Sequence, residues 1–314
     1  MPTLREIKSR VSAVRSTLKI TGAMKLVAST KLQKAQRRIQ AMIPYEKALR
    51  EMMEGLPLDP ARCRGASGAG RTAIIAFASN NSLCGSFNHN VIRATLEEIA
   101  TAGGVPGLAT NGRTMGAVDI FPVGKKMTDA LHRAGYGFSA GFVPLSAEAS
   151  YEEAAHLADL VVGGFLDGEY DRVLLVYTHF ISPASQKVTV EQLLPLPAAE
   201  CPDEARADKA AAGSLTGETD FEPASANLTG EIHDGVILEP GREELSRRLV
   251  PKALRIKVFA AMLDNSASEH AARALAMQLA TENAEKLLDT LTLEYNKSRQ
   301  QKITSEILDL ANNA

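Results

Sequence analysis

Between Leu4 and Leu56 the chain carries an apolar residue at almost every third or fourth position. The stripe reads Leu4, Ile7, Val11, Val14, Leu18, Ala28, Leu32, Ala35, Ile39, Met42, Leu49, Met53 and Leu56, and only Thr21, Lys25 and Glu46 interrupt it. A mean repeat of three and a half residues keeps one seam of an α-helix facing a partner, the pattern of a left-handed coiled coil. At 1.5 Å per residue that helix is roughly 80 Å long. A globule of 314 residues is only about 50 Å across, so the helix has to project from whatever the rest of the chain builds.

Its start is well marked. Pro2 and Thr3 suit a helix entry, and Glu6 lies three residues past Thr3 as in a capping box. Between Ile7 and Pro44 every charged residue is basic: Lys8, Arg10, Arg15, Lys19, Lys25, Lys31, Lys34, Arg37 and Arg38. A run of one sign repels itself along a helix, which points to an acidic surface nearby; a solvated helix face is the plain alternative. Gly22 costs about 1 kcal/mol relative to Ala and, with Ala23 and Ala28, predicts a thin waist. Pro44 predicts a kink or a change of path. Pro57 and Pro60 end the helix, and the Gly/Ser/Ala-rich residues 65–70 read as a linker.

Composition narrows the class of molecule by exclusion. Net charge is −2, so the overall balance names no partner; Trp is absent and aromatics are 5% of the chain, which argues against a base-stacking nucleic-acid binder. Cys63, Cys84 and Cys201 stand far apart, without the paired spacing of a zinc site or a redox dithiol, and fit a reducing cytosol. No apolar run approaches a membrane span, and the first residues lack the apolar core of a signal peptide. The expectation is a soluble chain with no metal and no cofactor.

From Arg71 the rhythm changes to short apolar runs alternating with amphipathic helices, which is that of an α/β domain. Strands are predicted at 72–78, 118–123, 172–179 and 187–194, and helices at 88–102, 125–133 and 152–165. Ser79 to Gly85 forms the loop after the first strand, where doubly wound folds place ligands. Neither a P-loop nor a GxGxxG follows any strand, and the histidines show no ligand spacing. Cys84 precedes a helix and could be a nucleophile, but a small buried cysteine in a tight turn is the simpler reading. Residues 198–234 hold nine Asp/Glu against Arg206 and Lys209, with few large apolar groups. Such a segment buries too little to offset its ordering entropy, so a flexible acidic insertion is expected there. Residues 235–242 then read as a short strand and linker.

A last helix is expected to start near Pro251 and run to about Asn312, with a seam through Leu254, Val258, Ala261, Leu275, Leu279, Leu287, Leu291, Tyr295, Ile303, Ile307 and Leu310. Ala267, Ser268, Ala271, Ala272 and Ala276 are small enough for a partner to approach closely. Both long helices join the α/β domain at one end. An antiparallel pair therefore buries both seams, and the longer second helix overhangs the first. The predicted organisation is a shaft of 1–57 and 243–314, an α/β base at 70–195 with three layers and Rossmann-like winding, and the insertion at 198–234. On these patterns alone a coiled-coil scaffold or adaptor, and an enzyme using the α/β domain, stay open as alternatives.

Three motifs in order carry a resemblance. Lys19-Ile20-Thr21-Gly22-Ala23-Met24-Lys25-Leu26-Val27-Ala28, the turn from Ser79 to Asn88 and the segment from Asp264 to Leu308 each resemble signatures of the gamma subunit of bacterial F-type ATP synthases. Val123-Gly124-Lys125-Lys126 resembles a shorter one, while Asn80 and Ser82 stand where the family often has Asp and Gly.

The resemblance implies the central stalk of a rotary, proton- or sodium-translocating machine. The shaft would stand inside a ring of alternating alpha and beta subunits. The base would sit with epsilon on the membrane c-ring, on the cytoplasmic face of the inner membrane, as a peripheral part with no membrane insertion and no catalysis of its own. Met24, Lys25, Arg299 and Gln300 match family positions that meet beta, a rotor–stator contact. Leu83, Cys84, Gly85 and Asn88 match the family turn of the base. Photosynthetic relatives carry a cysteine pair in an insertion; here Cys201 is the insertion's single cysteine, which excludes a disulfide switch within that insertion.

Overall fold

The N-terminal stripe is realised as one helix, α1 (Leu4–Met53), and the capping box is made: Thr3 N–H donates to Glu6 Oε2 at 2.9 Å. The computed structural model describes residues 3–53, 70–110, 113–116, 118–138, 141–142, 149–196 and 241–312. The expected linker from 65 to 69, the acidic insertion at 198–234 and the strand near 235 lie outside the described residues, as do Leu56, Cys63 and Cys201.

The base follows as β1 (Thr72–Phe77), α2 (Phe87–Thr101), β2 (Gly104–Thr110), β3 (Arg113–Gly116), β4 (Val118–Val123), α3 (Lys125–Arg133), α4 (Tyr151–Leu166), β5 (Arg172–Ser182) and β6 (Ser185–Leu194), and the long helix α5 (Arg242–Asn312) closes the series. The sheet order is β4-β1-β5-β6. The first three strands are parallel, and β6 returns antiparallel on β5. Ile74, Ile120, Val91, Ile99, Met127 and Leu131 fill the side covered by α2 and α3. Phe77, Phe121, Leu157, Val161, Leu175 and Val258 fill the side covered by α4 and the start of α5. The base is thus the expected three-layer α/β arrangement.

α1 and α5 run antiparallel. Leu32 and Ala35 cluster with Ala267 and Ala271, and Thr21 meets Thr281 further out. On α1 the seam is as read: Ile7, Thr21, Ala28, Leu32, Ala35 and Leu49 are buried. Thr21 therefore continues the seam instead of interrupting it. The helix is continuous through Pro44.

Three expectations need correction. α5 starts at Arg242, well before Pro251; burial of Val250 and Leu254 in the core of the base carries the helix past a proline that its own hydrogen bonding disfavours. The seam of α5 passes through Ala267, Ala271, Met277, Ala284 and Leu291, whereas Leu275, Leu279 and Leu287 face outward at 41%, 51% and 49% exposure. The alanines win the inner positions because they let the two backbones approach. Finally, the β2–β3 hairpin was not expected, since Pro106 and three glycines weaken the strand signal.

Candidate functional site

Doubly wound sheets bind ligands beyond the carboxyl ends of strands, where the strand order reverses. β1 is that point here, with β4 on one side and β5 on the other. The turn that leaves β1 is bonded to itself. Ser79 N–H donates to Asn88 Oδ1 at 3.1 Å, Asn88 Nδ2 donates to Ser79 Oγ at 2.8 Å, and the same nitrogen lies 3.1 Å from Cys84 Sγ. Leu83 (φ 67) and Gly85 (φ 59) take left-handed conformations that let the chain double back. Leu83 is exposed, while Cys84 is buried at 1% among Ser79, Asn81 and Asn88. This cysteine is a packing and hydrogen-bonding residue, not an open nucleophile.

The amides at the start of α3, which could otherwise hold an anion, are already engaged. Lys125 N–H donates to Asn80 Oδ1 at 2.8 Å and Lys126 N–H to Ser79 O at 3.1 Å. Among the described residues no group of three His, Cys, Asp or Glu is placed to hold a metal ion.

Helix α5 occupies the crevice. The β1–β5 ladder stops at Ala76–Val176. Two residues later Thr178 N–H donates to Asn265 Oδ1 at 3.4 Å, and Thr178 O accepts from Ser268 Oγ at 3.0 Å. Asn265 and Ser268 are buried at 5% and 0%, so α5 side chains satisfy strand groups that β1 no longer reaches. One turn on, Arg273 pairs with Glu269 at 2.7 Å and lies 3.4 Å from the carbonyl oxygens of both Asn81 and Ser82. A side chain on Gly85 would lie 3.9 Å from Ala276, so the turn rests directly on the helix.

Charge is concentrated at this joint. Burial raises the Glu269 carboxyl, against the pull of Arg273 and Lys31. Burial beside those two cations holds His270 down at about 4. Asp264, also raised by burial, is bridged to His179 of β5. Lower down, Tyr177 donates to Glu191 at 3.1 Å, which raises the phenol beyond what burial alone does, and Lys257 pairs with Glu191 at 2.9 Å. Sequence reading missed the roles of Asn265, Ser268 and Arg273. The available signal was a cluster of polar residues inside a run of alanines.

Met24 and Lys25 sit half-buried on α1, about one turn from Thr21. Since Thr21 faces Thr281, they lie level with Met277 and close to the level of the turn at Gly85. Arg299 and Gln300 are exposed on α5, about 30 Å further along the rod at 1.5 Å per residue. The structure therefore separates the expected contact residues into a neck and a tip. Beyond the Thr pair, α1 has 17 residues to Leu4 and α5 has 31 to Asn312. The difference of 14 leaves an overhang of about 21 Å, with Arg299 and Gln300 at its root.

A family model for ATP synthase matches residues 3–314. The ATP synthase gamma chain of Bacteroides thetaiotaomicron is 42% identical over 317 residues, covering 99% of this chain and 98% of that one. Among solved structures, the chain is similar to one in the central stalk and c-ring of the Tetrahymena thermophila mitochondrial ATP synthase, with 25% identity, a TM-score of 0.55 and coverage of 83% and 99%. It also shares its fold with a chain of the Euglena gracilis mitochondrial ATP synthase, with 18% identity, a TM-score of 0.63 and coverage of 99% and 93%.

Proposed function

Because this chain belongs to the ATP synthase gamma-chain family, we propose that it is the rotor shaft of a bacterial F-type enzyme, turning ion flow into ATP synthesis without performing catalysis itself. Its proposed partners are the alpha and beta subunits around the rod, and epsilon and the c-ring at the base. The proposed location is the cytoplasmic face of the inner membrane. Among the described residues no helix is long and apolar enough to cross a membrane.

One observation carries this reading: the rod ends in an overhanging helix with large apolar residues on its outside. Ile303, Ile307 and Leu308 are 46%, 60% and 56% exposed, and a single helix of that length is marginal in water. Such a segment fits an enclosing sleeve. Its outline is unequal, with the basic residues on α1 and outward leucines on α5. A turning, unequal cross-section meets each surrounding site differently, and only such differential contact can shift a site's equilibrium. Each charge crossing 100 mV supplies about 2.3 kcal/mol, which the rod has to deliver as torque.

The contacts proposed with beta are Met24 and Lys25 at the neck and Arg299 and Gln300 at the tip. The turn of Leu83, Cys84, Gly85 and Asn88 is proposed to brace the neck from the base. Purifying the chain by an affinity tag from its own cells tests the reading. Alpha, beta and epsilon subunits should come with it, along with ATPase activity; a chain recovered alone, or with one unrelated partner, would favour the scaffold reading.

A further inference from the structure

We propose that Asn265, Ser268 and Arg273 form the torque joint between base and shaft, fixing the rotational phase of α5 against the sheet. This inference rests on the rotor reading. Near the foot of α5, Val250, Leu254, Val258 and Met262 pack into the base core. Apolar packing opposes separation, but it is non-directional and resists turning about the helix axis only through shape. Higher up, the seam thins to Ala267 and Ala271, which offer little shape to grip.

It is at that level that the directional bonds lie. Asn265 and Ser268 hold both backbone groups of Thr178, a peptide fixed in the sheet by its neighbours on β6. Arg273 holds two carbonyls of the turn after β1. The two grips engage different parts of the base, strand β5 and the turn after β1, so rotation of α5 in either sense strains at least one of them. All three side chains are almost shielded from water: Asn265 and Ser268 are buried, and the Arg273 side chain is 11% exposed. The ion pairs Arg255–Asp159 and Lys257–Glu191 also link shaft and base, but they are partly exposed, where pairs of this kind contribute little. The crevice that doubly wound folds use for ligands here holds the shaft.

The test uses the whole complex with the alpha–beta ring immobilised and a probe attached to the base. Asn265→Ala combined with Ser268→Ala should still assemble and hydrolyse ATP, but pump fewer ions per ATP. The probe's angular fluctuation should broaden about twofold, because both directional bonds from α5 to Thr178 are then lost while only those of Arg273 and Asp264 remain. Ser268→Thr, which keeps the hydroxyl, should restore both. Lys257→Ala serves as the control and should change neither. An assembled double variant with wild-type pumping and fluctuation overturns the joint alone, as does equal broadening by Lys257→Ala. A wild-type chain that brings no ATPase with it overturns the rotor reading, and this inference with it.

Discussion

His270 has its Nδ1 buried with no hydrogen-bond partner among the described residues, close enough to Arg273 and Lys31 for both to disfavour a further positive charge. Its folded value of about 4 lies below the ordinary 6.5, so the unfolded chain takes up the proton first. The stability that follows from a neutral His270 is full above about pH 6.5 and is lost as pH falls towards 4, by about 3 kcal/mol at most. Asp264 and Glu269 act in the other sense. Their raised values mean the folded state holds protons more tightly, and acid relieves part of their burial cost. Comparing wild type with His270→Leu at each pH cancels those carboxylates. The variant should gain on wild type steadily between pH 6.5 and 4 in urea unfolding; a constant difference would mean that His270 titrates normally. None of this was legible in the sequence, where His270 is one histidine among six. The same holds for Asn265 and Ser268, whose partner is a backbone peptide freed only because β1 ends before β5 does.

At the scale of elements, period was the most legible property. α1 buries the positions its spacing predicts, because a long helix with one partner has a single seam to hide. α5 was harder to read, since it packs first on the base and then on α1, and its leucines turn outward where alanines serve the closer contact. The β2–β3 hairpin carries the Asn111-Gly112 turn signal, but its strands are too rich in Gly and Pro to stand out. Thr21 and Thr281 each look like ordinary surface threonines in sequence, yet they form a polar layer in the coil. Thr281 donates to Thr21 Oγ1 at 2.9 Å, and Thr21 Oγ1 in turn lies 3.2 Å from Leu18 O. A single polar layer can fix the register of a coiled coil. A double-mutant cycle of Thr21→Val and Thr281→Val should give a coupling of about 1 kcal/mol, with the double variant less destabilised than the singles sum to. Additive losses would show that the two hydroxyls only bond to their own helices.

Over the whole molecule, the base, with the foot of α5 packed into it, has a full core and the outer rod does not. Two apolar clusters enclose the sheet on both faces, whereas the outer half of the rod has one narrow seam, and among the described residues no helix lies beside α5 past Ser298. Residues 299–308 are all exposed. A lone helix of about 14 residues sits near the limit of stability in water, so its backbone amides should exchange with solvent almost freely in the isolated chain. Inside the ring of partners proposed for the rod the same amides would be shielded on every side. Hydrogen exchange followed by mass spectrometry on residues 299–312 should therefore show little protection for the free chain and strong protection in the ATPase complex. Residues 72–77 and 172–176 in the sheet should exchange slowly in both. Equal protection of the tip in the two states would mean that the overhang is held by the chain itself, and the need for an enclosing sleeve, on which the shaft role stands, would be gone.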